Sequence, residues 1–171
     1  MSPARVFAVP RGHPAPERRL AELGLALPAP RPRAGLYEGW VAAGELLFLS
    51  GQGADGWTGR LGADLTLDQG RRAARDCALN LLTQTRHALG SLDRVAQVVK
   101  VTGFVACTPE FGGVPAVVDG ASALLVDLFG DRGRHARSAV GVAALPLGFA
   151  VEVEMVVRVR PAGRSGPQGR P

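Results

Sequence analysis

The sequence is short of the residues that anchor several common chemistries. It has two cysteines, Cys77 and Cys107, with no ligand-like spacing, and a disulfide between them is not expected in a reducing cytosol. Cys77 reads as core packing and Cys107 has no assigned role. Nine Phe, Trp and Tyr residues in the whole chain give no aromatic platform on which nucleobases could stack. Three histidines, His13, His87 and His135, form neither a triad nor the pair that phosphodiester cleavage would use. No apolar run approaches the length of a membrane span, and Arg5, Pro10, Arg11 and Pro14 interrupt the start where a signal peptide would lie. A soluble, cytoplasmic protein with no membrane partner is therefore expected. The glycine-rich stretch Gly51 to Gly62 lacks the Gly-Lys-Ser/Thr ending of a phosphate loop and reads as a flexible rim.

Apolar content of 46% in 171 residues suffices for one domain with a real core. The basic surplus is unevenly placed. Residues 1–35 carry six Arg against Glu17 and Glu22, and residues 160–171 carry three Arg and no acid. Residues 36–159, with ten Arg and one Lys against thirteen acids, come to −2. The domain itself is not basic, which argues against a nucleic-acid partner. Nineteen of the twenty basic residues are Arg, a compositional bias rather than a phosphate-binding surface.

The order of elements follows from periodicity. Residues 1–16 and 161–171, rich in Pro, Gly and Arg, read as disordered tails. Residues 17–35 read as an appended short helix, Glu17 to Ala26, with a Pro-rich linker, and 36–160 as the domain. Leu36 to Ala42 and Glu45 to Ser50 form a hairpin across Ala43-Gly44, followed by a loop from Gly51. Thr66-Leu67-Asp68-Gln69 is a capping box opening a helix that ends near Gly90, with Ala74, Cys77, Ala78, Leu81, Leu82 and Thr85 on its apolar stripe. Val95 to Val105 is a strand apolar on both faces, with Val99, Val101 and Val105 on one and Val98 and Phe104 on the other. A small sheet covered by helices on one side must cover its other side somehow, and a partner subunit is the simplest answer. A second helix spans Val114 to Phe129, with Pro115 in its first turn and Gly130 as its stop. Ser138 to Ala144 reads as a buried strand, and Val151 to Arg160 alternates cleanly, so Glu152 and Glu154 share a face. The sum is an α+β sandwich, one mixed sheet with two main helices on one face.

The most informative local pattern is His135-Ala136-Arg137-Ser138 followed, past a Leu145-Pro146 turn, by Val151-Glu152-Val153-Glu154. It places one arginine and two carboxylates at the ends of two strands expected to be neighbours. A guanidinium presents a planar fork that fits a carboxylate, and a glutamate can hold or deprotonate a water. Small organic acids are the ligands this pattern suggests. The plainer reading is a set of solvated charges or an interface ion pair, with Glu152 itself as a partner for Arg137. His135, a single loop histidine, reads as exposed.

The chain resembles the RidA family, also called the YjgF family, whose fold is like that of the trimeric bacterial chorismate mutase. The residues that carry the resemblance are Gly44 with Leu49-Ser50-Gly51-Gln52, Asn80, Val98-Val99-Lys100-Val101 with Phe104-Val105, Ala136-Arg137-Ser138, and Leu145-Pro146 through Glu152-Val153-Glu154. Leu23-Gly24-Leu25 and Gly120-Ala121-Ser122 are similar to a longer branch that carries an endoribonuclease label. The resemblance implies a chorismate-mutase-like homotrimer with clefts between subunits. It further implies hydrolysis of reactive 2-imino or 2-enamino acids, such as 2-aminoacrylate, to 2-keto acids and ammonia, without metal or cofactor. Carried over, Arg137 clamps the substrate carboxylate and Glu152 orients the water. Tyr37, Ser50, Asp119 and Ser138 bind substrate. Two positions depart from the pattern: Asp119 stands where many active members have Asn, and Ala139 where many have Cys. The alternatives are a regulatory or chaperone-like trimer that binds a small carboxylate without chemistry and, against the charge and aromatic content, a ribonuclease.

Overall fold

The computed structural model describes residues 13–33 and 35–161. Apart from residues 13–16 and 161, the expected tails lie outside the described residues. Pro16 opens helix α1 (Pro16–Glu22), which is shorter than the expected Glu17 to Ala26. Gly24 adopts φ +63° and takes the chain out of the helix. Its N–H donates to the Ala21 carbonyl and that of Leu25 to the Leu20 carbonyl, both at 3.0 Å. The Glu17 carboxylate ties α1 down by accepting from the Leu92 N–H at 2.9 Å and from Arg86 Nε at 3.0 Å, and Leu20 is buried.

Strands β1 (Trp40–Ala43) and β2 (Leu46–Gly53) form the expected hairpin, turned at Gly44 with φ +60°. Residues 36–39 are not strand as expected. Ser50 holds them as a loop, its hydroxyl donating to the Glu38 carbonyl at 2.7 Å and its N–H to the Gly39 carbonyl at 3.0 Å. Nor does a loop begin at Gly51, because β2 continues to Gly53 through a register shift between Leu49 and Gln52.

Helix α2 (Leu67–Leu89) starts with the capping box, both of its reciprocal bonds present, and stops at Gly90 in the left-handed region. Its buried face, including Ala73, Ala74, Cys77, Ala78, Leu81 and Leu82, packs beside α3 (Val114–Phe129), whose Val117, Val118, Ala121, Leu125 and Leu128 are fully buried. Side-chain spacing alone does not set their approach. A Cβ on Gly120 would collide with the backbone carbonyl of Arg71, so the two helix backbones meet there.

Three further strands, β3 (Val95–Ala106), β4 (Ala136–Val142) and β5 (Val151–Val159), complete a sheet of order β1-β2-β5-β3-β4. Only β3 and β4 are parallel, which makes the sheet mixed as expected. Three sequence-based expectations need correction. First, β4 and β5 are not neighbours, since β3 lies between them. Second, β4 is an edge strand with no buried residue, and Val140 is 42% exposed, because β3 is its single sheet partner. Third, the simple pleat of β3 fails: register shifts between Val95 and Gln97 and between Val98 and Lys100 bring Val98 to the helix face with Val101 and Val105, leaving Val99 exposed.

On β5, Val151, Val153, Met155 and Val157 are buried under the helices and Glu152, Glu154 and Val156 take the opposite face. That opposite face is covered by none of the described residues. Val41, Phe48 and Val140 are exposed across it, beside Val156 and Phe104. Such an apolar face is the kind a partner subunit covers.

Candidate functional site

Arg137 and Glu152 belong to different faces of the sheet. Arg137 pairs in register with Val101, which points into the helical layer, whereas Glu152 pairs with Phe104 on the open face. Two strand spacings and three residues of rise separate their Cα atoms, roughly 14 Å. Within one chain they do not meet.

The Arg137 half is built by β4 and α3. Arg137 Nη1 donates to Asp119 Oδ1 at 2.6 Å and to Ser122 Oγ at 3.1 Å. Asp119 and Ser122 are three apart on α3 and so present side chains from the same helix face. Arg137 therefore has an intrachain carboxylate partner, Asp119 rather than Glu152. Ser122 Oγ lies 3.0 Å from His135 Nε2, and His135 Nδ1 lies 2.6 Å from the Gly133 carbonyl. A carbonyl accepts only, so Nδ1 carries the proton and Nε2 of the neutral ring takes the Ser122 hydroxyl hydrogen. Burial holds the His135 pKa below its ordinary value, and Arg137 adds to that effect against the Gly133 hydrogen bond. The bonds run in one direction, from guanidinium to hydroxyl to imidazole to carbonyl. His135 is half-buried, not exposed as its loop position suggests.

The Glu152 half gathers around the β2 register shift. The Glu152 carboxylate lies over Gly51, where any side chain would occupy its space. Burial raises its pKa, and the like charge of Glu154 raises it further. Ser50 precedes Gly51 and pins the loop carrying Tyr37, whose ring is 47% exposed. Tyr37 lines a cavity of about 660 Å³ shared with Pro30, Arg31, Trp40, Gln84 and His87. Ser138 faces the open side, its Oγ 2.6 Å from Lys100 Nζ, and so parts from Arg137.

Of the six residues singled out from the sequence, the fold groups Arg137 with Asp119 and sets Ser50 next to the Gly51 that Glu152 lies over, while Tyr37 stays on the loop that Ser50 pins. Ser138 stands apart on the lysine side. Ser122, Lys100 and Gly51 stood in the motifs that carry the resemblance but were given no part in the site. Ser122 was detectable in principle, since it lies three residues beyond Asp119 on a predicted helix.

One mixed sheet with two long helices on a single face, an opposite face left open by the described residues and charged residues at the sheet edge define an α+β chorismate-mutase-like protein. A model described as "YjgF/chorismate mutase-like, putative endoribonuclease" matches residues 17–158. Protein TCP17 of Trypanosoma cruzi is 47% identical over 146 residues, covering 82% of this chain and 91% of that protein. The crystal structure of a "putative endoribonuclease" from Shewanella oneidensis is 34% identical with a TM-score of 0.82, covering 85% of this chain and 100% of the other. RidA from the Antarctic bacterium Psychrobacter is 28% identical with a TM-score of 0.53, covering 77% and 94%. The chain belongs to the YjgF/RidA family. The matched span begins inside α1, so the short helix and Pro-rich segment fall within the family's pattern.

Proposed function

We propose that the chain is a homotrimeric deaminase of 2-imino and 2-enamino acids, working at clefts where the Arg137 half of one subunit meets the Glu152 half of the next. The observation that carries this reading is the division of the site. One face holds a guanidinium braced by Asp119 and Ser122, with Nε and Nη2 unengaged among the described residues, and the opposite face holds a half-buried carboxylate of raised pKa. Each is half of what imine hydrolysis requires, and a second copy brings the other half. Arg137 takes the substrate carboxylate, while Tyr37 and Ser50 wall the cleft beside Glu152.

Glu152 holds a water against C2 and takes its proton as the C–O bond forms and the C=N π pair moves to nitrogen. Transfer of protons to nitrogen then breaks the C–N bond as the carbonyl forms. An iminium carboxylate and water give a 2-keto carboxylate and ammonium, balanced in atoms and charge. The reaction itself calls for no electron acceptor.

One observation favours a second reading, binding of a small carboxylate without chemistry: Asp119 already neutralises Arg137. A coupled assay separates the two. A pyridoxal-phosphate lyase generates 2-aminoacrylate and keto-acid release is followed with wild type and Arg137→Ala. The deaminase reading expects acceleration by wild type and a loss of roughly 100-fold in the variant, the scale of a lost charge-assisted hydrogen-bond pair. Keto-acid binding without any imine consumption would transfer the assignment to the binding reading.

A further inference from the structure

Asp119 and Arg137 form an ion pair at the surface, with side chains 52% and 24% exposed, and neither is used up by the other. Arg137 spends one nitrogen, Nη1, on both Asp119 Oδ1 and Ser122 Oγ. Nε and Nη2 of the arginine and Oδ2 of the aspartate have no hydrogen-bond partner among the described residues. The pair thus presents a cationic donor edge and an anionic acceptor side by side. The Ser122–His135 chain of hydrogen bonds fixes the guanidinium behind it.

A ligand that complements this arrangement carries a carboxylate and a cationic N–H group on adjacent carbons. An iminium or ammonium acid does so. A 2-keto acid has the carboxylate, but it would set a carbonyl oxygen against Asp119, acceptor against acceptor. We propose that Asp119 is the residue that sets ligand preference, receiving the cationic N–H while Arg137 holds the carboxylate, so that the site favours the iminium substrate over its 2-keto product. This rests on the reading of Arg137 as carboxylate anchor given above.

The test is calorimetric titration of the full-length protein with L-alanine and with pyruvate, which differ at the 2-position in the group that Asp119 would meet. Wild type is expected to bind L-alanine more tightly. Asp119→Asn, which keeps the size and removes the charge, shifts the alanine-to-pyruvate affinity ratio by about tenfold toward pyruvate, the scale of one charge-assisted hydrogen bond. Asp119→Ala shifts it the same way. A ratio unchanged in both variants overturns the proposal while leaving the anchor in place. If wild type binds neither probe, the anchor reading itself falls and this inference falls with it.

Discussion

Glu152 works against the stability of the fold, which makes it separable from residues that merely pack. Its carboxyl is half-buried over Gly51 with Glu154 on the same face, and both burial and the neighbouring charge raise its pKa above the ordinary glutamate value. Because the folded pKa exceeds the unfolded one, the folded state is relatively favoured while the group is protonated. That contribution is complete below the unfolded pKa and is lost as pH rises through the folded pKa. Glu152→Gln is therefore expected to melt at a higher temperature than wild type at about pH 8. The two should converge at about pH 3.5, below the ordinary range of about 4.3. Differential scanning calorimetry at the two pH values checks this, and a variant no more stable than wild type at pH 8 would remove the argument that Glu152 is held for chemistry.

Between elements, the contact least visible in side-chain spacing is the approach of α2 to α3. Gly120 lets the α3 backbone touch the Arg71 carbonyl, and backbone cannot move aside as a flexible side chain can. Gly120→Ala is expected to cost about 1–3 kcal/mol, the usual range for overpacking. Gly112→Ala, with nothing within 4 Å of the new methyl, serves as the neutral comparison in urea unfolding. The same contrast explains what was legible in the sequence. Helices α2 and α3 and the alternation of β5 are written in periodicity and caps, which act over a few residues. The register shifts of β2 and β3, the edge position of β4 and its separation from β5 depend on strand pairing between distant segments, which no local pattern encodes. For that reason Arg137 and Glu152 were recognisable one by one, while their assignment to opposite faces, and Asp119 as the arginine's partner, needed the fold.

At the scale of the whole molecule, the proposed division of the site between the two faces of a sheet would make the assembly part of the chemistry. The open face, with Phe48 45% exposed and Val41 54% exposed, gives an isolated chain an apolar surface and, on that proposal, an incomplete site. In the proposed closed ring of three, each cleft would take Arg137 from one subunit and Glu152 from the next. Arg137→Ala and Glu152→Gln proteins are each expected to be inactive alone. A trimer containing both kinds always holds one junction where an intact Arg137 faces an intact Glu152. Random reassembly of equal amounts puts three quarters of trimers in that class with one working cleft of three, so about a quarter of wild-type activity should return. The measurement is keto-acid release after co-refolding or co-expression, with trimer mass fixed by light scattering. Sites complete within one chain would return nothing on mixing, because every chain would carry a defective site. Recovery near one quarter would establish the intersubunit cleft, and the light-scattering mass would establish three-fold closure, because a closed ring of any size returns the same quarter.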